Sequence, residues 1–211
     1  ISALGKCQCL KELYLDRCTS LTDISALGKC QCLKELYLDR CTSLTDISSL
    51  SESESLSYIS LVKCDGLVDI SGLGQCQFLA TIYLNECSGI TDVSDLGQCQ
   101  NLMDLHLRKT DLIDVSGLGQ CRSLFFIDLS YCTSLKDVSG LGQSQSINDI
   151  ELGGCTSLTD VSGLGQCKIL SKLDLRRTGV TDISSLDQCE MLNYLLLKEC
   201  TGVGQDQINA L

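Results

Sequence analysis

The sequence predicts a single elongated α/β solenoid: a stack of short coils with a parallel sheet along one side and 3₁₀ turns along the other. Three observations lead there. The string ISALGKCQCLKELYLDRCTSLTD fills residues 1–23 and recurs verbatim at 24–46; looser copies begin at Ile47, Ile70, Val93, Val115, Val138, Val161 and Ile183, giving nine units of 23 or 22 residues with six left over. Within each unit apolar residues recur first every third position and then every second. The register runs the whole length without a proline or a change of composition at which to divide it.

The second unit serves to justify each element in turn. Ile24, Leu27, Cys30 and Leu33 are three apart, the spacing that puts side chains on one side of a 3₁₀ helix. Leu36 and Leu38 then alternate with Glu35, Tyr37 and Asp39, the period of a short strand with one buried and one open side. Cys41 and Leu44 turn the chain back. Asp46 precedes the next helix, where we expect it to act as N-cap, its carboxylate accepting a backbone N–H. One coil has an apolar interior and nothing beside it, so only stacking removes that surface from water. Nine strands at about 4.8 Å spacing would make a sheet roughly 40 Å long.

Aligned, the units read [IV]-S-x-L-G-x-C-x-x-L-x-x-L-x-L-x-x-[CT]-x-x-[LIV]-x-D, which contains L-x-x-L-x-L-x-x-C. This pattern resembles the leucine-rich repeat across nearly the whole chain. The D-[IV]-S-x-L segment is similar to the short-repeat, internalin-like class, and C-x-x-[LIV]-T-D, as in CSGITD at 87–92, is similar to the cysteine-containing class. The resemblance implies a right-handed solenoid with its parallel sheet on a concave face and its 3₁₀ turns on a convex one. It also implies a module that binds proteins and catalyses nothing.

We expect residues 1–211 to form one domain of nine repeats and a partial tenth, cut from a longer chain, because it starts without methionine and within the repeat pattern. No apolar run is long enough to cross a bilayer, and no signal peptide opens the chain. The uncapped ends suggest end-to-end packing.

Sixteen cysteines would fit a disulfide framework, yet nearly all fall in two columns expected to face inward: Cys7, Cys30, Cys76, Cys99, Cys121, Cys167 and Cys189, and Cys18, Cys41, Cys64, Cys87, Cys132, Cys155 and Cys200. Ser53 and Ser144 substitute in the first, Thr110 and Thr178 in the second. Replacement by hydroxyls argues for packed, reduced thiols and a cytoplasmic or other reducing compartment. Cys9 and Cys32 lie outside both columns. Paired C-Q-C strings could in principle hold zinc, but the same place carries Phe78, Asn101, Ser123, Ser146, Ile169 and Met191 in later coils, so no metal or cofactor is expected. The two shortened units carry Thr110 and Thr178, which ties turn length to the column residue. LSESESL at 50–56 departs furthest from the helix consensus and reads as drift in a tolerant turn, the alternative being a phosphorylatable or poorly ordered stretch.

The letters that the fold leaves free are those pointing out of the strands. One column runs Tyr14, Tyr37, Ser60, Tyr83, His106, Asp128, Glu151, Asp174, Leu196; the column before it runs Glu12, Glu35, Tyr58, Thr81, Asp104, Phe126, Asp149, Lys172, Tyr194. Of the aromatics, only Phe78 lies away from outward strand positions; Phe125 and Tyr131 join those above. A core of leucine, isoleucine, valine and cysteine that displays its rings has no packing reason to do so, whereas exposed aromatics favour binding hot spots. Outward positions carry as many basic as acidic side chains, so the formal charge of −11 belongs to the rest of the surface. No broad basic field invites nucleic acid or an anionic membrane.

The only histidine, His106, lies beside Asp128 but lacks a nucleophile and a pocket, which argues against an enzyme. The sequence therefore predicts a protein partner held by Tyr14, Tyr37, Tyr58, Tyr83, His106, Arg108, Phe126, Asp128 and Tyr131. The competing readings are a structural spacer in a large assembly and, on resemblance alone, the substrate-recognition part of a ubiquitin ligase. Verbatim identity of the first two units points to a recent tandem duplication, natural or designed.

Overall fold

In the computed structural model, which describes residues 1–210, each unit closes into one coil. Nine three-residue strands, β1 (Glu12–Tyr14), β2 (Glu35–Tyr37), β3 (Tyr58–Ser60), β4 (Thr81–Tyr83), β5 (Asp104–His106), β6 (Phe126–Asp128), β7 (Asp149–Glu151), β8 (Lys172–Asp174) and β9 (Tyr194–Leu196), pair in parallel and in chain order as one sheet. The register matches the repeat letter for letter: Leu13, Leu36, Ile59, Ile82, Leu105, Ile127, Ile150, Leu173 and Leu195 form its central row. Before each strand sits a five-residue 3₁₀ helix, from Ser2–Lys6 to Ser184–Gln188. LSESESL is no exception, since Ser48–Glu52 forms the same helix with Leu50 buried. After the last coil a short helix, α1 (Gln205–Ala210), packs against its 3₁₀ helix.

The interior is a continuous leucine, isoleucine, valine and cysteine core. Twelve cysteines of the two columns are buried there, and all sixteen are free. Cys7 and Cys18 depart from the inward expectation: both are exposed, because column thiols rest on the coil before their own and coil one is first in the sheet. Each buried thiol donates to a leucine carbonyl of the preceding coil, as in Cys64 Sγ to Leu38 O at 3.2 Å and Cys99 Sγ to Leu73 O at 3.2 Å. These weak bonds add a rung between coils. Burial pushes Cys64 and Cys76 up to about 12, so these thiols stay protonated donors.

In the two short coils the rung is rerouted. Thr110 and Thr178 donate to carbonyls of their own coils, Leu107 O at 2.7 Å and Leu175 O at 2.8 Å.

Two further devices tie coil to coil. The aspartates preceding each helix bond as expected but one place earlier: isoleucine or valine is the N-cap, and Asp23, Asp46 and Asp69 accept from Ser25, Ser48 and Ser71 N–H at 2.8 Å. After each strand one residue adopts a left-handed conformation, among them Arg40 (φ 62°), Lys63 (φ 60°) and Tyr131 (φ 62°). That conformation is unfavourable for side chains with a Cβ. Here it aims the N–H at the next coil: Arg40 at Val62 O (2.7 Å), Lys63 at Asn85 O (2.9 Å) and Tyr131 at Gly153 O (2.8 Å).

Candidate binding face

Strand register brings the outward aromatics into contact. Tyr14 stacks on Tyr37 with centroids 4.4 Å apart and planes at 8°; Tyr37 meets Tyr58 at 4.9 Å; Tyr58 meets Tyr83 at 5.7 Å. Tyr83 stacks on His106 at 4.0 Å, and His106 meets Phe126 at 5.0 Å. Six rings from two sequence columns thus make one ribbon across β1–β6. The ribbon changes column at coil three because Ser60 stands where the others carry a ring. Ser60 is outward in register but buried, its hydroxyl donating to Asp39 Oδ1, and Tyr58 of the neighbouring column fills the gap.

Mutual stacking leaves most of these rings half-buried, with Tyr14 at 59 % exposure the most open. Glutamates steady the first two: Tyr14 Oη donates to Glu12 Oε2 at 3.1 Å and Tyr37 Oη to Glu35 Oε2 at 2.8 Å. The hydrogen bond to Glu35 pushes the Tyr37 phenol well above its ordinary range. Burial lowers His106 against the pull of Asp128 and Asp104, so at neutral pH it is an uncharged ring.

Beyond Phe126 the face turns acidic. Asp128 and Asp174 are 9 % and 8 % exposed, and their Oδ1 atoms accept from Ser130 N–H (2.8 Å) and Arg176 N–H (2.9 Å). Glu151 lies between them in register, raised by burial and then by the carboxylates of Asp128, Asp149 and Asp174. Lys172 reaches Asp149 at 3.3 Å, and the Arg176 guanidinium holds Asp174 at 2.6 Å. The spacing of the sequence did mark these carboxylates as outward, but their crowding follows only from register.

Arg108 and Tyr131 stand apart from the ribbon. Tyr131 lies in the turn after β6 rather than on the strand, and Phe125 precedes β6 by one residue with 46 % exposure. The Arg108 guanidinium covers the Tyr131 ring, 4.6 Å from its centroid. Gly154 in the next coil permits that ring position: a Cβ there would come within 2.8 Å of Tyr131 Cδ1. A groove follows, lined by Arg108, Tyr131, Glu151, Gly154, Asp174 and Arg177 among others. Of the nine residues expected to contact a partner, six form the ribbon, two form the Arg108–Tyr131 pair, and Asp128 is largely withdrawn beneath the face. Among the described residues no group of three or more His, Cys, Asp or Glu is placed to hold a metal ion, and no helix is long and apolar enough to cross a membrane.

The repeat geometry has counterparts among known proteins. The family model for leucine-rich repeats in two copies matches residues 10–52, and the nine coils continue that unit in unbroken register. This chain is a leucine-rich-repeat solenoid. Among solved structures it resembles internalin C2 of Listeria monocytogenes, with a TM-score of 0.73 at 21% identity over 89% of this chain and 80% of that one. A leucine-rich-repeat protein of Leptospira interrogans gives 0.72 at 21% identity, covering 93% of this solenoid and 57% of that chain. A third, Toll-like receptor 13, solved in complex with a single-stranded RNA, gives 0.73 at 19% identity, covering 91% and 30%. No curated protein matches the sequence.

Proposed function

We propose that the solenoid is a non-catalytic binding module that captures a protein partner on the solvent side of its sheet. The observation that carries this reading is the ribbon from Tyr14 to Phe126. Six rings in a row on a pleated surface, with a leucine core beneath them, form a stiff apolar strip held in place before any partner arrives. Pre-ordered rings lose little entropy on binding, which is why aromatic side chains dominate interface energetics. Leucine-rich-repeat proteins commonly serve as interaction modules, in line with this reading. The RNA complex of the Toll-like receptor does not transfer: here the strip is flanked by Glu12, Glu35 and Asp104 and leads into Asp149 and Glu151, charges that repel phosphate. The buried reduced thiols suit a reducing compartment.

The test is partner capture by the wild-type chain and by a Tyr83→Ala/Phe126→Ala variant, compared by affinity purification and mass spectrometry. Each hot-spot ring should contribute about 2 kcal/mol to binding, so the double variant should lose its partner while its Tm falls by only a few degrees. Undiminished capture would remove the ribbon from the interface and favour a spacer held through its ends or its acidic back.

A further inference from the structure

Coils one and two share a thiol that no later coil has. Cys9 and Cys32 occupy the same place, in the turn between 3₁₀ helix and strand, and both are exposed and free. They differ in this from the column cysteines, whose sulfurs are buried and engaged with carbonyls of the preceding coil. Cys7 and Cys18 are exposed too, but their counterparts Cys30 and Cys41 are buried and bonded to Leu4 O and Leu15 O, so neither has an accessible counterpart in the coil that stacks on it.

Cys9 and Cys32 lie one coil spacing apart. Two residues downstream Lys34 N–H donates to Lys11 O at 2.8 Å, and one residue upstream Gln8 Nε2 reaches Lys29 O at 3.1 Å. The same column shows where its side chains lie. Asn101 Nδ2 donates to Gln77 O at 2.7 Å, and Ser146 Oγ to Leu124 O at 2.9 Å. Gln77 and Leu124 flank the residues that precede Asn101 and Ser146 in the column, Phe78 and Ser123, so a side chain here rests on the backbone beside its counterpart one coil back. At about 4.8 Å between strands, Cα atoms in this column fall inside the roughly 4.4–6.8 Å range that a disulfide spans.

We propose that Cys9 and Cys32 are a disulfide-forming pair, oxidised by a small disulfide of the glutathione type, that staples coil one to coil two. One thiolate attacks a sulfur of glutathione disulfide, forming a mixed disulfide and releasing one glutathione thiolate, which takes up the proton the cysteine lost. The second cysteine, deprotonated, attacks the protein sulfur of that mixed disulfide and expels the second glutathione, which is protonated in turn. Two protein S–H bonds and one glutathione S–S bond become one protein S–S bond and two glutathione S–H bonds, with two electrons passing from protein to glutathione. In-register side chains on parallel coils leave their Cβ atoms about as far apart as their Cα atoms, slightly beyond the usual disulfide separation of roughly 3.5–4.5 Å. The bridge therefore forms with a small inward pull and is readily reduced, the behaviour of a reversible mark. Verbatim duplication supplies the chemistry: a cysteine copied into the next coil acquires a thiol neighbour in one step.

Because CQCLK occurs identically at 7–11 and 30–34, the test uses the full chain with Cys7→Ser and Cys18→Ser, which makes the two peptides distinguishable and leaves Cys9 and Cys32 as the exposed thiols. After treatment with oxidised glutathione, intact mass should fall by two hydrogens with no glutathione retained. The chain should remain monomeric on a non-reducing gel, and a peptide linking Cys9 to Cys32 should be recovered that dithiothreitol separates. Adding Cys9→Ser or Cys32→Ser should instead trap one glutathione on the remaining thiol. Two retained glutathiones, a linked dimer, or no reaction in the chain that keeps both cysteines would overturn the proposal.

Discussion

Ser53 stands where neighbouring coils carry cysteine, and its buried hydroxyl has no hydrogen-bond partner. The flanking Cys30 and Cys76 reach back to Leu4 O and Leu50 O, and an oxygen on the shorter C–O bond stops short of the equivalent carbonyl. Leaving a buried donor unmade costs about 1–3 kcal/mol. Ser53→Cys should therefore stabilise the chain by about 1 kcal/mol, read as a higher urea midpoint at unchanged slope; a lower midpoint would mean the site cannot take sulfur. The turn aspartates give a second prediction. Backbone and side-chain hydrogen bonds from the serine two residues on hold Asp23, Asp46, Asp69, Asp160 and Asp182 below the ordinary value of 3.8. A carboxylate lowered on folding stabilises above its unfolded pKa, and that contribution is lost as pH falls through the folded value. Stability should thus hold from neutral pH down to about 5 and decline below about 4. Asp69→Asn, which keeps an acceptor oxygen but cannot titrate, should make that decline shallower in chemical denaturation across pH.

At the scale of elements, the 3₁₀ helices stack closely enough that one glycine of the S-x-L-G string touches the next coil. A Cβ on Gly97 would sit 2.4 Å from Gly117 O, backbone that cannot step aside. Gly204, just before α1, has nothing within 4 Å. Gly97→Ala should cost about 2 kcal/mol or more, in the range of overpacking, while Gly204→Ala should be neutral or slightly stabilising; equal Tm values would refute the close-packed stacking. Much of this layer was legible in the sequence, because period three followed by period two leaves one folding solution and identical spacing leaves one register. Less legible was anything that depends on a neighbour in the stack. Cys7 and Cys18 carry the same letters as Cys30 and Cys41 yet are exposed, since a column thiol rests on the coil before its own and coil one is first in the sheet, whereas Cys189 and Cys200 of the last coil are buried. The aspartate hydrogen bonds were foreseen, but not their place one residue outside the cap, as an Asx turn and an N-cap share the same letters. Eight left-handed residues had no glycine to announce them, because inter-coil hydrogen bonds rather than intrinsic preference hold that conformation. The outward columns told which rings share a face, whereas the ribbon's change of column at Ser60 needed side-chain positions.

For the whole molecule, the decisive property is that strands and 3₁₀ helices touch only those of adjacent coils, with α1 against the last helix. Stability then behaves as a chain of nearest-neighbour couplings rather than as one shared core. Leu105, fully buried in the central strand, and Leu13, its half-buried counterpart in coil one, make the test. Leu105→Ala removes contacts on both sides of coil five and should cost about 3 kcal/mol; Leu13→Ala, with a neighbour on one side only, should cost about half that. Their reach should differ as well. Native-state hydrogen exchange on Leu105→Ala should show lost protection centred on β4–β6, spreading outward as coils five's neighbours lose their support, with β1 and β9 least changed. On Leu13→Ala the loss should stay with β1 and fade by β3. A uniform loss along all nine strands in both variants would mean that the stack unfolds as one unit. In that case the ribbon would be rigid from Tyr14 to Phe126 regardless of what happens at either end. Under nearest-neighbour coupling, by contrast, the rings of coils four to six are held most firmly, which places the best-ordered part of the proposed binding face at Tyr83, His106 and Phe126.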